Sequence, residues 1–247
     1  MYLTTRGLVL RVSDYNDRDA LLTLLTPEHG KITVKARGLR RKNSPLTAPC
    51  QLLALGEFTL FEYRDSYSIN EAHSIELFQG LRKDIVKLSL GTYFAQVAEL
   101  LSMEDTPNSE LLSLVLNCLF ALSELSLREN QVKAVFELRC ACLSGYTPDL
   151  FACHICGSQE PDRFDVSNGT LSCAKCRQYG QSGIRMPLSP AVLGAMRYIV
   201  SCDPKRLFHF DTSDETLKQL AQITELYLTT QLERGFSALD FYKSLFL

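Results

Sequence analysis

The chain has 247 residues, 46% hydrophobic and 22% charged, with a formal net charge of −2. That length predicts two or three compact units, and the composition is that of an ordinary globular protein. Charges interrupt every apolar stretch well before the ~18 residues of a membrane-spanning helix, and no repeat or low-complexity run is present.

From Tyr2 to about Phe78 apolar residues alternate with polar ones, the period of strands. Leu8, Leu10 and Val12 open the pattern; RDALLTLLT, the turn Glu28-His29-Gly30, KITVKARG, LGEFTLFEY and SYSINEAHSI continue it. Five short strands in this length predict a small closed barrel of the OB type, with a sandwich of similar size as the alternative.

The third strand carries charge. Alternation turns Ile32, Val34 and Ala36 inward and Lys31, Thr33, Lys35 and Arg37 outward, with outward neighbours about 6.6 Å apart. Arg40, Arg41 and Lys42 follow in the loop, and no acid occurs between His29 and Gly56. An acidic overall balance is no obstacle to a polyanion partner, because binding depends on the local patch. The six cations Lys31, Lys35, Arg37, Arg40, Arg41 and Lys42 predict sequence-tolerant nucleic-acid binding, against the plainer explanation of a Lys-rich face kept for solubility. Tyr63 and Tyr67 are candidate stacking surfaces, although aromatic residues of small barrels are more often core. Neither a recognition helix nor a C2H2 finger is present, so sequence-specific readout is not expected.

From Leu81 the period becomes helical, with Ile85, Leu88, Phe94, Val97 and Leu101 near one face. Pro107-Asn108-Ser109-Glu110 breaks the chain, and Leu111–Leu127 is apolar nearly all round, which predicts the buried central helix of a bundle. Further helices are expected over Glu129–Leu143, from Ser189-Pro190, over Asp214–Glu233, and at the C-terminus. The predicted fold class is α+β, with an OB-type barrel over residues 1–80 and a helical domain over 81–247, interrupted by an insertion at about 150–186.

That insertion holds Cys153, Cys156, Cys173 and Cys176, two C-x2-C pairs sixteen residues apart. Four thiolates at this spacing close a tetrahedral shell around one Zn2+, leaving no position open for water, so the expected metal is structural. Disulfides or ordinary buried thiols are the competing explanations. MYLTTRGLVLRV lacks the cationic segment, apolar core and cleavage site of a signal peptide, which makes a reducing cytoplasm the expected location. Cys50, Cys118, Cys140, Cys142 and Cys202 stand among apolar residues and are expected to be small buried hydrophobes. His154, inside the first knuckle, is a weaker alternative ligand. A zinc deaminase is excluded because neither pair follows a proline and no histidine is followed two residues on by Glu. No phosphate loop or nucleophile triad is present, and Asp14, Asp17 and Asp19 read as turn residues beside Arg18 more readily than as Mg2+ ligands, so no enzyme is expected.

Several of these runs resemble one family. T-x-G-L-V-L-R from Thr5, D-A-L-L-T-L-L-T-P-E-H-G-K from Asp19, V-K-A-R-G-L-R-R from Val34, E-L-R-C from Glu137, G-Y-T-P-D-L-F-A-C-H-I-C-G from Gly145, C-A-K-C from Cys173 and the closing Tyr242-Lys243-Ser244-Leu245-Phe246-Leu247 are similar to the bacterial RecO proteins. Tyr15-Asn16-Asp17 departs from the family's Tyr-Gly-Glu at the first strand connection. The resemblance implies a non-enzymatic recombination mediator that binds single- and double-stranded DNA and anneals complementary strands. It also implies partners: RecR, with which RecA is loaded, and the acidic tail of single-stranded-DNA-binding protein. Such a protein works in the bacterial cytoplasm, at the nucleoid. A zinc-stabilised protein–protein adaptor without direct DNA binding is the alternative.

Overall fold

A computed structural model describes residues 1–64, 66–125, 127–179 and 183–246. They group into two units, Met1–Ser126 with Phe236–Leu247, and Leu127–Gly235. No helix among the described residues is long and apolar enough to cross a membrane.

In the first unit β1 (Tyr2–Asp14), β2 (Ala20–Thr26), β3 (Gly30–Ala36), β4 (Leu55–Tyr63) and β5 (Ser66–Glu76) close into a barrel in the order β1-β2-β3-β5-β4. Neighbours run antiparallel except β3 and β5, which pair in parallel through Val34–Tyr67 and Lys35–Ser68. One long strand serves both sides: the first half of β1 pairs with β4 and the second half with β2. The register slips between Val9 and Arg11, a bulge that bends the strand and buries Leu8, Val9 and Leu10 in succession. Inward residues of all five strands, including Val9, Leu22, Leu24, Ile32, Val34, Phe58, Leu60 and Ile69, make one apolar core.

Residues 37–54 join β3 to β4 as successive turns, with N–H groups donating to carbonyls three or four residues back, as Arg41 to Gly38, Thr47 to Ser44 and Cys50 to Leu46. Leu46, Cys50 and Ala54 belong to the barrel core. The second half of the loop is therefore a plug.

Helices α1 (Gln79–Arg82), α2 (Ile85–Leu101), α3 (Ser109–Glu124) and α7 (Ser237–Ser244) complete this unit. Asp84 caps α2 by accepting from the N–H groups of Val86 and Lys87, and Asn108 caps α3 through Leu111. α2 packs on β1 and β2, and α3 on β2. That side of the barrel is covered, whereas Thr33, Glu57, Phe61, Tyr63, Ser66 and Glu71 on β3, β4 and β5 stay exposed. α3 departs from the all-round burial its sequence predicts: Leu111, Leu112, Leu114, Val115, Cys118, Leu119, Ala121 and Leu122 are buried, but Phe120 is 48% exposed.

The second unit holds α4 (Glu129–Leu143), α5 (Pro190–Ser201) and α6 (Asp214–Gln231), with a three-stranded sheet of β7 (Thr170–Ser172), β6 (Arg163–Asp165) and β8 (Arg185–Pro187). α4 is its buried helix, although it carries Lys133 and Glu137 at the centre. Their charges meet inside: Lys133 Nζ lies 2.8 Å from Glu137 and 2.9 Å from Glu225 of α6, and Thr224 donates to Glu137 at 2.8 Å. Mutual neutralisation makes the burial tolerable. Burial still holds the Glu137 carboxyl above the usual range.

Candidate nucleic-acid face and candidate metal centre

β3 places its side chains as alternation requires, with Ile32, Val34 and Ala36 buried, Thr33 exposed and Lys31 and Lys35 half-buried, and Arg37 just beyond the strand is exposed. The six cations then divide. Lys31 Nζ donates to the Glu99 carbonyl at 3.1 Å, Lys35 lies 3.5 Å from Asp19 with its ammonium 4.0 Å from the Tyr15 ring, and Arg40 pairs with Asp14. Asp19 is held in place by three donors: the Gly38 N–H at 2.8 Å, the Asn16 amide at 3.1 Å and Lys35. The Gly38 N–H first, then Asn16, keeps its carboxyl below the ordinary range despite some desolvation. Asp14 and Asp19 are thus fasteners of the β1–β2 connection against the basic loop. Arg37, Arg41 and Lys42 remain exposed, and their side chains have no hydrogen-bond or ion-pair partner among the described residues.

The tyrosines separate too. Tyr67 packs against the barrel core, whereas Tyr63 is 56% exposed, with the Arg64 guanidinium 5.1 Å from its ring. Sequence periodicity did not single out Tyr2 or Phe61, which sit beside Tyr63 on the same outer surface; their signal was an outward strand position occupied by an aromatic ring.

In the second unit, several arginines work as internal fasteners. Arg128 bridges Asp211 and Asp214 at 2.7 and 2.9 Å, Arg139 donates to the carbonyls of Val200 and Cys202, and Arg197 to those of Leu150 and Phe151. Lys205 and Arg206 stay exposed.

The four cysteines converge. Their sulfur atoms all lie within 4.8 Å of one another, with Cys156 and Cys173 at 3.6 Å. Zn–S bonds of about 2.3 Å set the sulfurs of a tetrahedral shell about 3.8 Å apart, so this set fits a metal ion. Local structure explains the convergence. Gly157, at φ 73°, reverses the chain so that its N–H reaches the Cys153 carbonyl at 2.8 Å, while Cys153 bridges to Leu171. Between the two pairs β6 and β7 form a hairpin whose turn is held by Asp165, which accepts from the N–H groups of Ser167 and Asn168 at 3.0 Å. Phe164 anchors the hairpin by an edge-on contact with Tyr227 of α6, ring centres 5.2 Å apart.

The thiols do not share protons evenly. Burial raises the pKa of Cys153, but the N–H groups of Cys156, Ile155 and Cys173 directed at its sulfur outweigh that and bring it to about 6. Competition with the Cys156 sulfur, then burial and the remaining sulfurs, pushes Cys176 up to about 12. A divalent cation would take the place of the shared protons. Cys153, Cys173 and Cys176 are buried and Cys156 exposed, and His154 is not a member of the group. None of the nine cysteines, all among the described residues, is in a disulfide, and Cys50, Cys118 and Cys140 are buried.

Comparison with known proteins agrees with this architecture. The family model described as "Recombination protein O N terminal" matches residues 1–78, and that described as "Recombination protein O C terminal" matches residues 82–240. Relatives named "DNA repair protein RecO" include one from Acetivibrio thermocellus, 32% identical over 99% of this chain and 97% of its own length. Those from Symbiobacterium thermophilum and Bacillus subtilis are each 28% identical, over 97% and 92% of this chain and 96% and 88% of their own lengths. With both models matched in order along the chain and full-length relatives at this identity, the chain belongs to the recombination protein O family.

Proposed function

We propose that this protein is a non-enzymatic mediator of DNA repair and recombination that binds single- and double-stranded DNA through its barrel and anneals complementary strands. The observation that carries the reading is the uncovered barrel side, edged by the unpaired cations Arg37, Arg41 and Lys42, in a chain of this family. Annealing needs no bond chemistry: cations that neutralise phosphates on two strands lower their repulsion, and base pairing supplies the free energy. Lys35 and Arg40 tie β3 and its following loop to the β1–β2 connection, and Lys31 ties β3 to α2.

The four cysteines would hold one structural Zn2+ that supplies cross-linking and no reactive position. Four thiolates with Zn2+ carry −2, so residues 151–186, with four Lys/Arg and three Asp/Glu, pass from +1 to −1. The metal therefore acts on stability and not as a DNA contact. RecR, RecA loading and the tail of single-stranded-DNA-binding protein complete the proposed role, in the cytoplasm at the nucleoid. An acidic tail with an apolar end calls for an apolar groove flanked by one or two cations. One of about 360 Å³ runs between α2 and α7, lined by Ile85, Leu88, Thr92, Gln96, Ala238 and Phe241.

The test is a strand-annealing assay without ATP, run on naked strands and on strands coated with single-stranded-DNA-binding protein, with a tail peptide as competitor. Annealing of both substrates, blocked by the peptide only on coated strands, is expected. No band shift with short single-stranded DNA would defeat the reading in favour of a protein–protein adaptor.

A further inference from the structure

The outer surface of β1 and β4 carries three aromatic side chains that the fold leaves open to water: Tyr2 at 62% exposure, Phe61 at 38% and Tyr63 at 56%. The register connects them to the cationic strand. Tyr2 of β1 lies opposite Phe61 of β4, Phe61 opposite Ser68 of β5, and Ser68 opposite Lys35 of β3. The row Tyr2, Phe61, Ser68, Lys35 therefore crosses four strands in steps of about 4.8 Å, and Tyr63 stands about 6.8 Å from Phe61 on the same face. The Tyr2 and Phe61 ring centres are 5.3 Å apart, tilted by 56°, and Arg64 lies against Tyr63. Ser66 and Ser68 are too small to cover the rings.

Three adjoining exposed rings are more than the scattered apolar residues of an ordinary surface. Their surroundings indicate what covers them. Rings with Arg64 against one of them, small hydroxyl groups beside them and Lys35 two strands from Phe61 offer π-faces near positive charge, which matches a nucleobase attached to a phosphate. They offer little to an aliphatic protein partner. We propose that Tyr2, Phe61 and Tyr63 form a base-stacking platform for unpaired nucleotides, on the same barrel as the cations that hold the phosphates.

This rests on the barrel being the DNA-binding unit, and it adds a selectivity that the cations lack. Phosphates are present on single strands and duplexes alike, whereas bases in a duplex are already stacked on one another and unavailable to the rings. Stacking also releases no counterions, so the platform contributes affinity without steepening the salt dependence.

The test uses the whole protein with oligothymidylate, a duplex of equal phosphate number, and an abasic strand. Phe61→Ala combined with Tyr63→Ala is expected to weaken oligothymidylate binding about thirtyfold, from about 1 kcal/mol per ring at 1.4 kcal/mol per tenfold. Duplex and abasic binding and the salt slope should stay as in the parent. The chain has no tryptophan, so Tyr63→Trp supplies a single reporter that leaves the ring in place. Its fluorescence should be quenched by oligothymidylate and not by the abasic strand. Equal loss on all three ligands, or quenching by the abasic strand, overturns the platform. Unchanged DNA affinity together with loss of a dimer would instead make this face an interface between copies. A parent protein that binds none of the three ligands defeats the DNA-binding reading itself, whereas parent and variant binding oligothymidylate equally defeats the platform alone.

Discussion

The division of the six barrel cations sets a quantitative expectation for DNA binding. Each phosphate neutralised on a single strand contributes about 0.7 to the slope of log affinity against log salt. Six free cations would give a slope near −4, whereas the three without internal partners, Arg37, Arg41 and Lys42, give about −2. Raising salt from 50 to 200 mM then weakens binding about twentyfold through these contacts, against a few hundredfold for six. Replacing Arg37, Arg41 and Lys42 together by Ala should lower affinity for any short single strand and flatten the slope by about 2. Lys31→Ala should instead lower thermal stability, because its ammonium holds the Glu99 carbonyl, and leave the slope nearly unchanged. The assay is fluorescence anisotropy of a labelled oligothymidylate over a salt series, with melting curves of each variant. A triple variant that keeps the parent slope would refute the assignment of the phosphate contacts. A Lys31→Ala slope change as large as one lost contact would refute the division into free and engaged cations.

Cys153→Ser should lower bound zinc and the melting temperature together, as measured by elemental analysis and calorimetry; a metal ratio that survives replacement of all four cysteines would rule out this site. Lys133→Met strands the fully buried Glu137 carboxylate, at a cost of about 3–5 kcal/mol near neutral pH. Because burial raises the native pKa of Glu137, its contribution to stability is fullest below the ordinary carboxylate pKa and is lost as pH rises through the native value. The Lys133→Met penalty should therefore shrink in acid, and a penalty independent of pH in denaturant melts would count against the network. Glu137→Gln should cost far less, since Lys133 keeps Glu225 at 2.9 Å and Thr224 keeps an acceptor. Gly30→Ala should destabilise the barrel strongly: at φ 59° its new Cβ would meet the Thr106 carbonyl oxygen at 2.2 Å, and a melting temperature equal to the parent's would contradict that packing.

Much of this protein was legible in its residues because the signals are local. Alternation along β3 and β4, the helical period after Leu81 and the two C-x2-C pairs each depend on neighbours a few positions away, and all recur in the structure. What the sequence could not decide was set by residues far apart along the chain. No acid lies between His29 and Gly56, yet closure of the barrel brings Asp14 and Asp19 against Arg40 and Lys35, turning part of an apparent DNA surface into structural ion pairs. Leu46 and Cys50 share no period with a neighbouring element, so their role as the barrel's plug emerges only once the core exists around them. The helix over Glu129–Leu143 was expected, but nothing local shows that Lys133 is buried in it, and that burial is possible because Glu225, 92 positions away, arrives on α6 to complete the network. Local periodicity fixes which way a side chain points; only the tertiary structure decides whether a charge that points there meets solvent or an opposite charge.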